Sequence, residues 1–283
     1  MPLLLAGLAG GPALAEAPQV LEAPVWSGTI VVDGDVGDWA RIEPLTVPLS
    51  GTGGAAEVQL KAVVRDGRIY MMATWADGTR GDQHKPYRWD AATYSYKKTE
   101  DMEDRLALSL RISGEFSANK LSGAEFTADV WHWKAHRSNP VGLAHDKVWR
   151  VSRTPFEKSR AFRTSEGATV HLLRSSDAGD QLYKSVRYYM PEADLMPSYE
   201  LNPNAAGSIS DVQASGVWRD GRWYLELSRA LDTGHDDDAP VPRSGDLEFA
   251  VAVFDGIAMN SVDGGDHSYS GRLILRTSGE ESS

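Results

Sequence analysis

The chain has 283 residues, with 29 Lys and Arg against 40 Asp and Glu, a formal net charge of −11. Hydrophobic residues at 41% and charged residues at 24% argue against disordered, fibrous and membrane-spanning classes, and the negative balance argues against a nucleic-acid partner, whose phosphates need dense Lys and Arg. With no Cys there is no disulfide, thiolate metal site, covalent haem attachment or iron–sulfur cluster.

In chain order, Leu3 to Ala15 is apolar and small and ends in Ala13-Leu14-Ala15, an A-x-A cleavage pattern, so residues 1–15 read as an export signal although no Lys or Arg precedes Arg41. No other apolar run reaches the ~20 residues of a membrane span. Past Gln19 the pattern is strand-like. Thr29 to Val32 reads as a strand running into the turn Asp33-Gly34-Asp35. Val58 to Val63 alternates apolar and polar, passes through Arg65-Asp66-Gly67-Arg68, and resumes as a strand from Ile69 to Trp75. Asp-Gly between two such runs predicts a hairpin with a tight I′ turn. The device recurs at Arg219-Asp220-Gly221-Arg222, between Val217 and Leu227, and the two RDGR hairpins are either equivalent hairpins of two packed sheets or a chance recurrence of a good turn. Further strands are expected at Leu106–Ile112, Phe126–Lys134, Leu247–Phe254 and Tyr269–Leu275, with Asp104 and Arg105 marking the start of one of them. Helical periodicity is scarce, and Pro191 to Leu195 is the one place for a short turn. Spaced strands with Gly, Pro and Asp turns predict an all-β fold, an antiparallel β-sandwich of immunoglobulin-like or jelly-roll-like type. It would occupy residues 20–277 as one domain, with a polar tail at 278–283. Ala76–Asp101 and Arg153–Gly216 exceed simple hairpin loops, and long loops on a sandwich carry function.

The most distinctive segment is Asp129 to Arg137, DVWHWKAHR. On a strand Trp131 and Trp133 share one face and His132 and Lys134 the other. Two indoles two residues apart make either core packing or a flat platform for a ring-shaped ligand. His132 and His136 lie four apart, but without a helix that spacing builds no zinc site. Asp236-Asp237-Asp238 beside His235 reads as a solvated acidic loop, and Asp33 to Asp38 as a turn lacking the spacing of a calcium loop. His267 precedes Tyr269, Leu273 and Leu275 with the same parity, which puts it on their face of a single last strand.

Taken together, Trp26-Ser27-Gly28, Val32-Asp33-Gly34, Asp38-Trp39, Thr74 to Arg80, Glu103 to Leu108, Asp129 to Gly142 and Phe249 to Gly256 before His267 resemble a known family. The chain is similar, over about residues 20–277, to the haem-binding domain of the gamma subunits of ethylbenzene dehydrogenase and dimethyl sulfide dehydrogenase and of related periplasmic cytochromes. The WHWKA-x-R-x-x-P-x-G stretch is its most specific part. The resemblance implies a periplasmic β-sandwich holding one non-covalent haem b between its sheets. It implies electron transfer rather than catalysis, with a redox partner protein or the molybdenum and iron–sulfur subunits of an enzyme. In those gamma subunits a Met from a loop before the Trp-x-Trp strand and a Lys near the C-terminus ligate the haem. Here that loop, Phe116 to Gly123, carries Lys120 and no Met, and His267 stands where the Lys falls. The expected haem-iron ligand is therefore His267, with Lys120, Met102 and His132, in that order, as candidates for the second position. Trp131, Trp133 and Tyr269 are the expected pocket walls. The alternative from another class is a carbohydrate-binding or other ligand-binding sandwich without redox role, and a third is a scaffold that kept the fold without the haem.

Overall fold

The structure is a computed structural model that describes residues 17–51, 55–164, 166–256 and 266–279, with the backbone alone at Asp266 and His267. The expected export signal lies outside the described residues. The strands in chain order are β1 (Gln19–Pro24), β2 (Leu45–Pro48), β3 (Ser50–Gly51), β4 (Glu57–Arg65), β5 (Arg68–Ala76), β6 (Tyr87–Asp90) and β7 (Ser95–Lys98). They continue with β8 (Arg105–Gly114), β9 (Phe126–Lys134), β10 (Lys147–Ser152), β11 (Arg160–Arg163), β12 (Thr169–Ser176), β13 (Tyr183–Ser185) and β14 (Leu195–Met196). The last are β15 (Tyr199–Leu201), β16 (Gln213–Arg219), β17 (Arg222–Ala230), β18 (Gly245–Asp255), β19 (Asp266–Tyr269) and β20 (Leu273–Ser278). Three short 3-10 turns, Val36–Trp39, Asn139–Val141 and Ser208–Ser210, are the helical elements among the described residues.

Two sheets face each other as an antiparallel β-sandwich. The larger runs β1-β20-β18-β8-β9-β10-β12-β11, with β19 on β18 and β3 on β19; the smaller runs β16-β17-β5-β4-β2. Alternation decides the packing. Val58, Leu60 and Ala62 of β4, Met71, Ala73 and Trp75 of β5, and Leu225 and Leu227 of β17 meet Leu106, Leu108, Trp131, Trp133, Phe249 and Val251 of the larger sheet in one buried core. Trp75 and Trp133 meet edge to face, with ring centroids 6.1 Å apart, and Trp133 and Trp223 do so at 4.9 Å.

Both RDGR turns close tight hairpins, with φ of 49° and 72° at Asp66 and Gly67 and 51° and 74° at Asp220 and Gly221, the pair of positive values that a I′ turn needs. Their placement differs from the sequence expectation. The β4–β5 and β16–β17 hairpins are not in opposite sheets; β17 pairs with β5, so they lie side by side in the smaller sheet with turns at opposite ends.

Other expectations need correction. Thr29 to Val32 is not a strand; this stretch crosses the outer face of the smaller sheet, where Ile30 packs with Trp39, Ile42, Val63 and Met72. Its Asp33-Gly34 turn is held by Glu226, whose carboxylate accepts from Asp33 N (3.1 Å), Gly34 N (2.6 Å) and Trp39 Nε1 (2.7 Å). Pro191 to Leu195 forms no helix, and Leu195–Met196 is instead β14, paired with β6. The two long polar stretches carry β6, β7 and β11 to β15, of which β12 and β11 extend the larger sheet. The expected last strand is two, and the break matters below. Tyr269 pairs with Ala252 while Leu273 pairs with Phe249, so four residues of one chain span three of the other and the side-chain parity flips. Among the described residues, no helix is long and apolar enough to cross a membrane.

Candidate functional site

The outer face of the larger sheet carries a second buried cluster. Ala107, Ala128, Val130, Trp149, Val151, Val170, Leu172 and Ala250 rise from its strands, and Phe116 with Ala118, Leu121 and Ala124 comes down from the loop between β8 and β9. The ends of that loop are drawn together by a Glu115 N to Glu125 O hydrogen bond of 2.9 Å. Gly114 (φ 82°) makes the closure feasible, because a Cβ there would meet Glu125 O at 2.3 Å.

Registry lays out a row across this face: Tyr269, Ala252, Ala107, His132 and His145 are successive cross-strand partners. Three strand spacings, ~14 Å, separate Tyr269 from His132, and two methyl groups floor the interval. The next row, Ala250, Ser109 and Val130, is nearly as low. The result is a trough in the sheet's relief, roofed by the 115–125 loop and edged by large or charged side chains. Phe254 lies against Tyr269 (6.0 Å) and His132 (6.0 Å), and Arg105 stacks over Phe254 at 4.6 Å. Lys120 stands 3.9 Å over the Trp149 ring and 6.0 Å from that of Tyr269, and Arg174 covers Trp149 at 5.5 Å.

The electrostatics here are unbalanced. No carboxylate among the described residues lies within ion-pair distance of Lys120; its partners are aromatic faces, and burial, then Arg174, pushes its pKa down to about 7. Burial, followed by Lys134 and Arg105, holds His132 well below its usual value and hence neutral. Three buried nitrogens around the trough, Arg105 Nε, His132 Nε2 and Trp149 Nε1, have no hydrogen-bond partner. Native interiors rarely leave such groups unsatisfied, and each costs about 1–3 kcal/mol where nothing meets it. Beyond His132 the network is fully bonded: Lys134 Nζ meets His145 Nδ1 (2.6 Å) and Tyr183 Oη (3.0 Å), and His145 Nε2 meets Ser176 Oγ (2.8 Å). Unsatisfied nitrogens and paired ones are thus neighbours.

The expected site residues divide between the two faces. Lys120, His132 and Tyr269 come together on the outer face. Trp131 and Trp133 do not join them: strand alternation turns both indoles into the sealed core, where Trp133 Nε1 donates to Asn139 and Trp131 Nε1 to Asp129. They are core packing rather than pocket wall, and the space between the sheets is filled by side chains. Met102 precedes β8, its carbonyl packed so closely on Gly256 that a Cβ there would lie 2.1 Å away. The backbone of His267 pairs with Phe254, while its side chain lies outside the described residues. Because of the parity flip, Tyr269 does not share the face of Leu273 and Leu275, which point into the core. Sequence reading missed Arg105, Trp149, Arg174 and Phe254 as trough residues. The signal available was the pair Ala250 and Ala252 inside an otherwise bulky strand, the mark of a face left low. The acidic run after His235 also differs from expectation: Asp236 is exposed, but Asp238 is buried against Arg229 at 2.9 Å.

A family model described as ethylbenzene dehydrogenase matches residues 36–264. No curated protein matches the chain significantly. Among solved structures, a family 9 carbohydrate-binding module from Caldicellulosiruptor kristjanssonii in complex with glucose is similar over 93% of this chain and 98% of its own, at 11% identity and a TM-score of 0.41. A Bacteroides uniformis protein described as carbohydrate-binding is similar over 93% and 100%, at 8% identity and a TM-score of 0.43. Likeness this remote says nothing of a ligand.

Proposed function

The chain belongs to the ethylbenzene dehydrogenase family, and on that premise we propose that it is an exported, non-catalytic electron-transfer protein or subunit that binds one b-type haem on the outer face of its larger sheet. One observation carries the reading: unsatisfied nitrogens ring an alanine-floored trough beside a lysine that, among the described residues, has no acid within ion-pair distance.

The residues fit the group. Burial, then Arg174, pushes Lys120 down to about 7, toward the neutral amine that an iron donor must be. A histidine would supply a second donor, either His267, whose backbone pairs with Phe254, or His132, whose Nε2 is unsatisfied. Met102 ranks behind them. Arg105 and Arg174 are cations set at the trough edge, suited to the carboxylates of a haem, and Trp149, Phe254 and Tyr269 exclude water from its flat faces. With no Cys in the chain, attachment is non-covalent. When bound, the haem supplies a one-electron ferric/ferrous couple. To admit it, the 115–125 loop must lift while its ends stay joined. The reading includes export through the Leu3–Ala15 segment into the periplasm, and exchange of electrons with a redox partner such as an iron–sulfur or molybdenum subunit.

The test is spectroscopic. Protein reconstituted with haemin should show a Soret band that sharpens on dithionite reduction, and Lys120→Ala should lose the low-spin spectrum while keeping the β-sheet signal. His267→Ala and His132→Ala decide the second donor. Folded protein that stays colourless would sink the proposal. A second reading, carbohydrate binding, draws on a different surface: Trp89 on the β6–β7 hairpin lies 5.1 Å from Tyr94 and 5.0 Å from Tyr96, and Tyr94 is exposed. Aromatic groups of this kind stack on sugar rings, and glycan binding abolished by Trp89→Ala would favour it.

A further inference from the structure

The outer face of the larger sheet runs on past the trough through β10, β12 and β11, and β11 pairs with no further strand among the described residues. Trp149 of β10, a wall of the trough, pairs with Arg174 of β12. Leu172 of β12 pairs with Arg160 of β11, and Val170 with Phe162. Cross-strand partners share a face, so Arg174, Arg160 and Phe162 all stand on the side of Trp149. Two strand spacings, ~10 Å, take the sheet from Trp149 to its edge. There Lys158, Arg160 and Arg174, with Phe162 and Leu172, line a hollow of about 350 Å³. Phe162 is 37% exposed.

Positive charge is concentrated here. Residues 147–176 hold seven Lys and Arg and two Glu, in a chain of net charge −11. Arg150, Arg153, Arg160, Arg163 and Arg174 are exposed, and none forms an ion pair among the described residues. Arg174 and Arg150 lie over the Trp149 and Phe156 rings, and Arg153 and Arg163 donate to Gly123 O and Gly167 O. Lys158 reaches Glu157 at 3.6 Å, but a pair so exposed on both sides neutralises little. Elsewhere on the same sheet the arginines are matched: Arg272 and Arg111 meet Glu248 at 2.6 Å and 3.4 Å, and Arg276 meets Asp246 at 2.7 Å. Edge strands carry charge to discourage strand addition, which accounts for Arg160 and Arg163 on β11. It does not account for Arg150 and Arg174, which stand on strands inside the sheet.

We propose that this face, with Phe162 and the hollow at its centre, docks an acidic protein surface; that the docked protein is the electron partner rests on the haem reading above. An apolar centre within a rim of arginine is the composition of protein interfaces. A membrane suits the charge pattern less well. An anionic bilayer is a continuous plane of charge, and the excess acid on the remainder of the chain would be pressed against it. An acidic patch on a protein is confined to the edge, and screening over ~8–10 Å at physiological salt keeps it clear of the rest. A partner seated there meets the sheet ~10 Å from Trp149, beside the proposed haem.

The test begins with the full chain free of cofactor, so that it does not depend on haem. The probe is a plant-type two-iron ferredoxin with a strongly acidic surface, titrated calorimetrically. Two proteins of net negative charge repel unless a local patch attracts. Binding at about 20 mM salt therefore supports the surface, and about 200 mM should weaken it about tenfold. Lys158→Glu combined with Arg160→Glu should weaken it at least as much, while Arg243→Glu, at an exposed arginine away from this edge, should leave it unchanged. In haem-loaded protein the double variant should slow reduction by the reduced ferredoxin in the same proportion and leave reduction by dithionite alone. Absence of binding, binding indifferent to salt or to the double variant, or equal loss in Arg243→Glu would overturn the surface. So would capture by phosphatidylserine vesicles without capture of ferredoxin, which would make the edge a membrane contact. Should the double variant not fold, the salt dependence of the wild type decides. A chain that binds ferredoxin but takes up no haem would refute the haem reading and leave the docking surface standing, so the two failures are distinct.

Discussion

The two faces of the larger sheet come from the same strands and differ in almost every physical respect. On the inner face β9 contributes Trp131 and Trp133, both fully buried, and each indole N–H finds an oxygen. On the outer face the same strand contributes His132, with an unsatisfied Nε2, between the small Ala107 of β8 and the polar backbone of His145. The inner face is filled by packed side chains. The outer one is low in relief, cationic and unsatisfied. Stability rests on the first, and the proposed haem site on the second.

The strongest way to sharpen that contrast is Trp133→Ala. It deletes a fully buried ring in edge contact with Trp75 and Trp223, and should cost ~3–5 kcal/mol in urea unfolding, with haem affinity unchanged in the fraction that stays folded. Direct loss of haem affinity would join the two faces functionally. Next is Ala252→Leu, which raises the trough floor. Overpacking there should cost about 1–3 kcal/mol, but haemin uptake should fall more than tenfold. Normal uptake would move the cofactor elsewhere. A third test is Lys120→Met in cofactor-free protein: a higher urea midpoint at pH 6, with the advantage fading above about pH 7. The sign follows from the depressed folded-state pKa of about 7. Below it both states are protonated and the folded one holds a cation it disfavours. Between there and the ordinary lysine value of about 10.4, the folded state releases the proton that the unfolded chain keeps, so wild-type stability rises with pH and that of the Met variant does not. Parallel pH curves for the two proteins would put Lys120 in water.

Much of the sandwich was legible from short-range signals. Asp66-Gly67 and Asp220-Gly221 announce their turns because few residues tolerate φ > 0, and Trp131, His132, Trp133 and Lys134 announce a two-faced strand by alternation. Sheet membership was not legible, since nothing local in either RDGR hairpin encodes that β17 will lie beside β5. The parity argument for His267 failed at one extra residue between Tyr269 and Leu273, which no periodicity count detects. The trough was hidden for a related reason: Ala107, Ala250 and Ala252 matter through what they leave empty. Arg229 and its acids stand up to 100 residues apart in sequence, from Asp129 to Arg229, and only the packing of loops on strand ends brings them into contact.

The first described strand joins the larger sheet through β20, which itself pairs with β18. β1 pairs in parallel with β20 alone, from Gln19 opposite Leu273 to Pro24 opposite Ser278, and contributes Leu21 and Ala23 to the interior. A partnership across some 250 residues closes late, because chain entropy opposes it until everything between is in place. Until β20 has docked, β1 has no strand to pair with along its length and packs against β4 and β2, and the Gly245–Phe249 half of β18 offers a bare edge to any passing strand. The order of assembly is therefore written into the topology: β1 joins after β20, and deletion of β20 would leave the Gly245–Phe249 half of β18 without a partner.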